Sequence, residues 1–289
     1  MAENQDLGSW CYLDDLPADK SGLTKAWTIL ETYSGIPPGG IETHVKAIRD
    51  KAYAVRPYPC LGRWAFLRSP MTELPEYPTV LARLRAPGAG ETLLDVGCCF
   101  GQVLRRLVVD GVPAAALAGT DLRPEFIELG YELFRDRDRD DFAGVRFVAG
   151  DLLSPDLDGP DSDPDAEGLR TFDGGFDIVH AASLFHLFGW DDQVRLGERV
   201  VRFFKPDATG ALLLGTQIGV KEPLSTDMYR EAGEGTRYHH NIESFQKLWD
   251  VIGEKTGTKW RVTGNLAPVN IPGIPANWRR LSFAVSKVQ

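Results

Sequence analysis

Glu91-Thr-Leu-Leu-Asp-Val-Gly-Cys-Cys-Phe-Gly101 decides how the rest of this chain is read. Its first half, Thr92 to Val96, is a short apolar run of the kind that forms a buried parallel strand. A turn with glycines at Gly97 and Gly101 follows. Then comes a helical pattern with Val103, Leu104, Leu107, Val108 and Val109 as apolar positions and Arg105 and Arg106 between them. Gly97 permits a positive φ and lets backbone approach a ligand, while Gly101 lets the helix start against the strand. Strand, glycine turn and helix together imply a site for a nucleoside-containing cofactor.

Spacing separates the cofactor classes. A dinucleotide site needs G-x-G-x-x-G, because backbone amides must approach a pyrophosphate. Here the order is Asp95-x-Gly97-x-x-x-Gly101, with Cys99 in the place of a middle glycine. It resembles instead the acidic-x-G-x-G-x-G first motif of class I S-adenosylmethionine (SAM) methyltransferases. SAM has no phosphates and carries a charged amino group, so an acidic strand end suits it. Asp95 is then expected beneath the methionine moiety.

With 289 residues the chain suits one large domain plus an appended segment, and 43% apolar residues supply an ample core. A net charge of −9 and a pI of about 5.1 argue against nucleic acid, since no Lys/Arg stripe offers to neutralise phosphates. Arg135 to Asp141 alternates in sign and reads as a solvated helix end. Met1 to Leu7 has neither a basic region nor an apolar one, and no stretch approaches the roughly 18 apolar residues that span a bilayer. Cytoplasmic location is expected. Cys11, Cys60, Cys98 and Cys99 form neither a disulfide framework nor a zinc site, so reduced thiols and no metal are expected.

Residues 1–20 read as a loosely docked arm. Ser21 is a candidate cap for a helix to about Tyr33, and Gly35 to Gly40 stops it. A second helix covers Ile41 to about Val55. Arg56 to Trp64 is an aromatic, proline-fixed turn, and Pro75 to Leu84 leads toward the first strand. These segments are expected to form a helical cap, residues 1–85, in front of a cofactor domain, residues 86–289. Beyond the first unit, strands are expected at Ala115–Thr120, Val145–Val148, Phe176–His180 and Gly210–Thr216. Helices are expected at Pro124–Phe134 and from Asp191, as cap, to Phe204. Ser154 to Gly175 is an exposed loop without packed core. Residues 217–241 read as a polar stretch, Asn241 to Ile252 as an amphipathic helix, and Trp260–Thr263 with Leu281–Val288 as an antiparallel tail. The fold expected is α/β, a Rossmann-like doubly wound sheet with an antiparallel terminal strand and an N-terminal helical cap.

Acidic residues end three strands. Asp121 is 26 residues after Asp95 and suits ribose hydroxyls. Gly150-Asp151-Leu152 can reach adenine. With Thr120 to Arg137, Tyr33 to Pro38, Ile48 to Tyr53 and His240 to Phe245, these segments resemble fungal secondary-metabolite SAM methyltransferases. The likeness is strongest to meroterpenoid-pathway enzymes that esterify a carboxylate on a prenylated polyketide. It implies a cofactor set of Asp95, Gly97, Cys99, Gly101, Asp121, Leu122, Asp151, Leu152 and Ala181, and an apolar small-molecule substrate with Phe185 in the acceptor set. Arg56 and Arg63 bracket the aromatic turn and suit either a carboxylate clamp, with Arg56 as the acceptor candidate, or ordinary surface salt bridges. The oligomeric state stays open, a homodimer included.

Of five histidines, His44, His239 and His240 read as surface or packing residues and His180 as a satisfied core residue. His186, after the fourth strand, is the candidate catalytic base. No His–Asp spacing announces a base, which favours a carboxylate acceptor: it is already ionised, unlike a phenol. A phenol methyltransferase and a SAM-fold cyclase or non-methylating binding protein remain as alternatives.

Overall fold

The computed structural model describes residues 11–18, 21–88, 90–154, 168–227, 235–269 and 275–288. The apolar run before the glycine turn is strand β1 (Leu93–Val96), buried at every residue. The strands after it are β2 (Leu117–Asp121), β3 (Arg146–Ala149), β4 (Ile178–His180), β5 (Leu212–Val220), β6 (Leu224–Thr226), β7 (Arg237–His239), β8 (Trp260–Pro268) and β9 (Trp278–Lys287). Seven form one sheet in the order β3-β2-β1-β4-β5-β9-β8, and β6 pairs with β7 separately. The first five are mutually parallel where they pair, and β9 runs antiparallel to both β5 and β8. The reversal at β1, with β2 on one side and β4 on the other, opens the carboxyl end of the sheet to a ligand.

β5 extends to Val220, past the expected end at Thr216, because β9 continues the ladder from Leu212↔Ser286 to Val220↔Trp278 after β4 has stopped. This places Gln217 inside a strand rather than in a polar loop.

The amino-terminal segment is helical as expected, but in pieces. A 3-10 turn (Ser21–Leu23) leads into α1 (Thr24–Thr28), which loosens into a π turn (Ile29–Tyr33) with no side-chain cap. α2 (Pro38–Val55) buries Ile41, Val45, Ile48 and Ala52 along one stripe. α3 (Pro59–Gly62) forms within the aromatic turn, and α4 (Tyr77–Leu84) occupies the stretch read as a lead-in. α5 (Gln102–Val109) and α6 (Pro124–Phe134) follow β1 and β2. α7 (Trp190–Phe203) starts at Gly189 without a side-chain cap, so Asp191 is a first-turn residue favoured by the helix dipole rather than the expected cap. α8 (Ile242–Thr256) opens on a reciprocal capping box between Asn241 and Ser244.

Three packed regions result. Phe176, Val179, Phe185 and Leu213 meet α7 through Val200 and Phe203 and α8 through Phe245, Trp249 and Ile252 on one face of the sheet. Leu104, Leu107, Val80 and Leu84 fill the other face. The cap residues Ile41, Val45, Ile48, Trp64 and Phe66 share a core with Phe100 of the glycine turn and with Phe126 and Leu133 of α6. The described part of the arm is firmly fastened rather than loose: Cys11 is buried, the Leu13 N–H donates to the Gly62 carbonyl at 2.9 Å, and the Leu13 carbonyl accepts from Arg49 at 2.6 Å. Most of the acidic loop lies outside the described residues. Its end, Leu169–Phe172, is a 3-10 turn whose Leu169 and Phe172 are buried, so packing resumes before the expected Gly175. Among the described residues no helix is long and apolar enough to cross a membrane.

Candidate active site

The glycine turn is built from left-handed residues: φ is +69° at Gly97, +52° at Cys99 and +61° at Gly101. Cys99 therefore adopts the backbone that a middle glycine would adopt, at a strain cost that glycine avoids. The N–H groups of Gly97 and Cys98 both donate to the Thr120 carbonyl, at 2.8 and 2.9 Å, which locks the turn to β2. At Gly97 a Cβ would stand 3.3 Å from a methyl of Leu184, so the space over the turn is already narrow.

Asp121 ends β2 beside this turn. Its two carboxylate oxygens accept from the Cys99 N–H at 2.8 Å and the Arg123 N–H at 3.0 Å. Each oxygen keeps a further lone pair for a hydroxyl. Burial pushes the Asp121 carboxyl up from its ordinary value, against the pull of those two donors. Asp151 is exposed and its Oδ1 accepts from the Leu153 N–H at 2.9 Å, an Asx turn that fixes it after β3.

Asp95 and His180 were read separately, yet they are ladder partners on β1 and β4. His180 Nδ1 lies 2.7 Å from Asp95 Oδ1, with both residues buried. Among the described residues His180 Nε2 finds no partner, so His180 is not the satisfied core histidine expected.

A second buried network braces the turn from behind. Arg105 on α5 grips Asp136 through Nε at 2.8 Å and Nη2 at 2.9 Å, with both side chains fully buried. Its Nη1 donates to the Phe100 carbonyl at 2.7 Å, and the guanidinium lies 4.1 Å from the Phe142 ring centre. Tyr33, from the cap, donates its hydroxyl to Asp136 at 3.0 Å. Asp136 is thus the opposite of the solvated residue expected in the run from Arg135 to Asp141. α6 comes close enough here that a Cβ at Gly130 would meet the Phe100 oxygen at 2.4 Å.

The loop after β4 reaches from the cofactor turn to the far strands. Leu184 covers Gly97, and the Ser183 N–H donates to the Thr216 carbonyl on β5 at 2.7 Å. The Phe188 carbonyl accepts from the Tyr238 N–H on β7 at 2.9 Å. Between them, a 3-10 turn (Phe185–Leu187) carries His186. Phe185 does not face an acceptor: it is fully buried, 5.7 Å from Phe245 and 6.3 Å from Trp249, because the turn directs it into the α8 core. Ala181 is likewise fully buried and its N–H serves the Leu214 carbonyl at 3.0 Å, so it completes the sheet and offers no surface to a cofactor. Leu122 is 50% exposed, and Leu152 packs half-buried against the α7–α8 core. Arg56 stacks over the Tyr58 ring at 5.7 Å, and Tyr58 lies within the electrostatic reach of Asp121.

Burial, then His239 and Arg237, hold the His186 ring well below the usual histidine range. Burial and then Arg237 push His239 down to about 4. His240 is pushed down to about 3 by burial, with Nδ1 2.9 Å from Ser244 Oγ and Nε2 3.1 Å from Gln193 Oε1. Both His239 and His240 are buried, as packing residues would be. Gln217 went unnoticed in the sequence. Its one signal is a polar residue inside the otherwise apolar Leu212–Val220.

The carboxyl-end site beside a left-handed glycine turn, with order β3-β2-β1-β4-β5-β9-β8, defines a class I SAM-dependent methyltransferase. Residues 12–67 match the family model described as a meroterpenoid methyltransferase N-terminal domain, and residues 94–209 match a methyltransferase domain. The O-methyltransferase phiE of a fungal species is 38% identical over 260 residues, covering 88% of this chain and 81% of that protein. The O-methyltransferase atr3 of Stereocaulon alpinum is 37% identical over 278 residues, covering 94% and 74%. The Asnovolin E/Chermesin D methyltransferase nvfJ of Aspergillus novofumigatus is 34% identical over 250 residues, covering 85% and 84%. The chain belongs to this family of fungal secondary-metabolite O-methyltransferases, whose methyl donor is SAM. The site suits that cofactor: a turn whose left-handed Gly97 leaves little room for a Cβ, an acidic residue at the end of β2 with lone pairs to spare, and no G-x-G-x-x-G cradle for a pyrophosphate.

Proposed function

We propose that this enzyme methylates a carboxylate oxygen of an apolar, prenylated small acid, giving a methyl ester. Asp121 accepts from the ribose hydroxyls, the exposed Asp151 from the adenine amino group, and Gly97 gives the methionine moiety close passage. Asp95, held by His180, sits beneath the amino group. Bound SAM supplies an already activated methyl. The chain then has to align the acceptor oxygen with it and exclude water, an effect worth about 7–11 kcal/mol when geometry is right. The cap covers the site, since Tyr58 and α3 lie beside Asp121 and Cys99.

One observation supports the carboxylate. His186, the ionisable group of the loop after β4, is neutral and far less basic than a free histidine. A phenol with pKa near about 10 calls for a base worth about 10²–10⁴ in rate, and so weak a base serves it poorly. A carboxylate needs none. The family model's description as a meroterpenoid methyltransferase domain supports an apolar terpenoid body.

The test is methyl transfer to 3-farnesyl-4-hydroxybenzoic acid, which offers a carboxylate and a phenol in one molecule. The expected product is the base-labile ester, with a rate flat above about pH 6. His186→Ala is expected to lower it modestly. An ether product whose rate climbs with pH, and collapses several hundredfold in His186→Ala, refutes the proposal.

A further inference from the structure

Ser183 holds a left-handed backbone, with φ at +53°, where a glycine would sit without strain. Such a backbone in a residue with a Cβ persists only where the surrounding structure imposes it, and it gathers at active sites and ligand clamps. What imposes it here is visible. The Ala181 N–H donates to the Leu214 carbonyl at 3.0 Å and the Ser183 N–H to the Thr216 carbonyl at 2.7 Å, so the chain still follows β5 after β4 has ended. One residue later it turns away, since Leu184 closes over Gly97 and Phe185 enters the α8 core. A glycine would make that reversal without strain, so the strain points to a use for the side chain.

The residue stands where the sheet opens. Strand order reverses at β1, which pairs with β2 on one side and β4 on the other, and a ligand of such a sheet sits over the carboxyl ends at that reversal. Gly97 is the first residue after β1, and Ser183 the third after β4. Leu184, the next residue, stands against Gly97, where a Cβ would meet its methyl at 3.3 Å. Ser183 is exposed, whereas Ala181, Leu184 and Phe185 around it are buried. The loop therefore turns one polar side chain outward between the end of β4 and the cofactor turn. Its hydroxyl has no partner among the described residues. Three residues further on, Nδ1 of His186 is buried and likewise without one.

Resting on the carboxylate reading above, we propose that Ser183 binds the acceptor: its hydroxyl donates to the carboxylate oxygen that is not methylated, which turns the other oxygen toward the methyl of SAM. A serine hydroxyl is a single O–H donor that rotates to meet its acceptor. The amide held by Thr216 fixes where the Cβ stands, so one side-chain torsion decides where that donor points. A bond to an ionised acceptor is shorter and stronger than one to a neutral group. The serine keeps its own proton and takes none from the acceptor, which suits a nucleophile that arrives ionised.

Three variants separate the hydroxyl from the backbone that carries it. Ser183→Ala removes the oxygen and keeps the strained Cβ, while Ser183→Gly removes both. Ser183→Asp keeps a short side chain that tolerates the left-handed region and adds a charge. KM for 3-farnesyl-4-hydroxybenzoic acid is expected to rise about 10- to 100-fold in Ser183→Ala and Ser183→Gly, the size of a lost bond to a charged group. Melting temperature is expected to stay level in Ser183→Ala and to stay level or rise in Ser183→Gly, with SAM affinity by calorimetry within about twofold in both. Ser183→Asp sets a second negative charge against the carboxylate and is expected to raise KM beyond the Ser183→Ala value. A residue that only shapes the loop predicts the reverse: Ser183→Gly, relieved of strain, then keeps the wild-type KM. Ester formation by the wild type, with KM unmoved in Ser183→Ala and Ser183→Gly, overturns the role of Ser183 and leaves the carboxylate reading standing. A KM in Ser183→Asp below that of Ser183→Ala also overturns it, as does a loss of SAM affinity in Ser183→Ala as large as the rise in KM. A wild type that yields the phenol ether, or no product, overturns the carboxylate reading, and the ligand given to Ser183 falls with it.

Discussion

Asp136→Ala tests whether the cap and the cofactor turn are one mechanical unit. Asp136 and Arg105 are both fully buried and joined by two bonds of 2.8 and 2.9 Å. Removing the carboxylate strands a cation in the interior, which costs about 3–5 kcal/mol, far more than a surface pair. For a chain of this size that is a drop of about 6–20 °C in melting temperature. Tyr33→Phe removes one hydroxyl that donates to the same carboxylate at 3.0 Å, so its expected cost is about 1.5–3 kcal/mol. In the Asp136→Ala background it should cost almost nothing, since its acceptor is gone; a double-mutant cycle by urea unfolding measures this. Arg105→Met combined with Asp136→Leu replaces the pair by apolar bulk and is expected to restore most of the stability. It also removes the bond from Arg105 to the Phe100 carbonyl, so SAM affinity should fall while stability recovers. The reasoning fails if Asp136→Ala costs under about 1 kcal/mol, or if its cost and that of Tyr33→Phe simply add.

Asp121→Ala removes the acidic end of β2, and SAM affinity by calorimetry should fall by about 1–3 kcal/mol; an unchanged affinity would remove Asp121 from the site. Cys99→Gly is expected to fold with stability within about 1 kcal/mol of wild type, whereas Cys99→Val forces a β-branched residue into φ near +52° and should cost about 1–3 kcal/mol in urea. Acid should weaken the fold through His240. Its folded pKa lies near 3, below that of the unfolded chain, so the unfolded state binds the proton first and stability falls as pH drops below about 6.5. The share lost between about pH 6.5 and 5 is about 2 kcal/mol, and urea titrations of His240→Gln should show a correspondingly shallower slope; equal slopes would refute it.

The apolar runs and glycine punctuation made the central sheet legible in the sequence, because periodicity is set by local packing. Leu93–Val96 and Ile178–His180 lie inside the stretches read as strands for that reason. Pairings between distant residues were not legible. Asp95 meets His180 through strand register across 85 positions, and Asp136 meets Arg105 through the docking of α5 against the segment after α6. Alternating charge around Asp136 looked like solvent exposure, since nothing local marks one acid of a run as buried. Phe185 and Ala181 came from the family likeness, with no local signal in the sequence to orient them. The direction of the turn, invisible in the sequence, sends both inward. Gln217 was hidden by a strand end that only β9 defines.

That ladder has a consequence for how the chain is made. Among the described residues β8 bonds only to β9, and β9 inserts between β8 and β5, so during synthesis β8 leaves the ribosome before its native partner. β5 meanwhile presents a long unpaired edge, from Leu212 to Val220, to whatever else is nearby. The final third of the sheet closes in one step, when β9 arrives and supplies both ladders at once. Nascent chains stalled before Trp278 are therefore the aggregation-prone species, and a chaperone that shields β5 at that stage guards the interval.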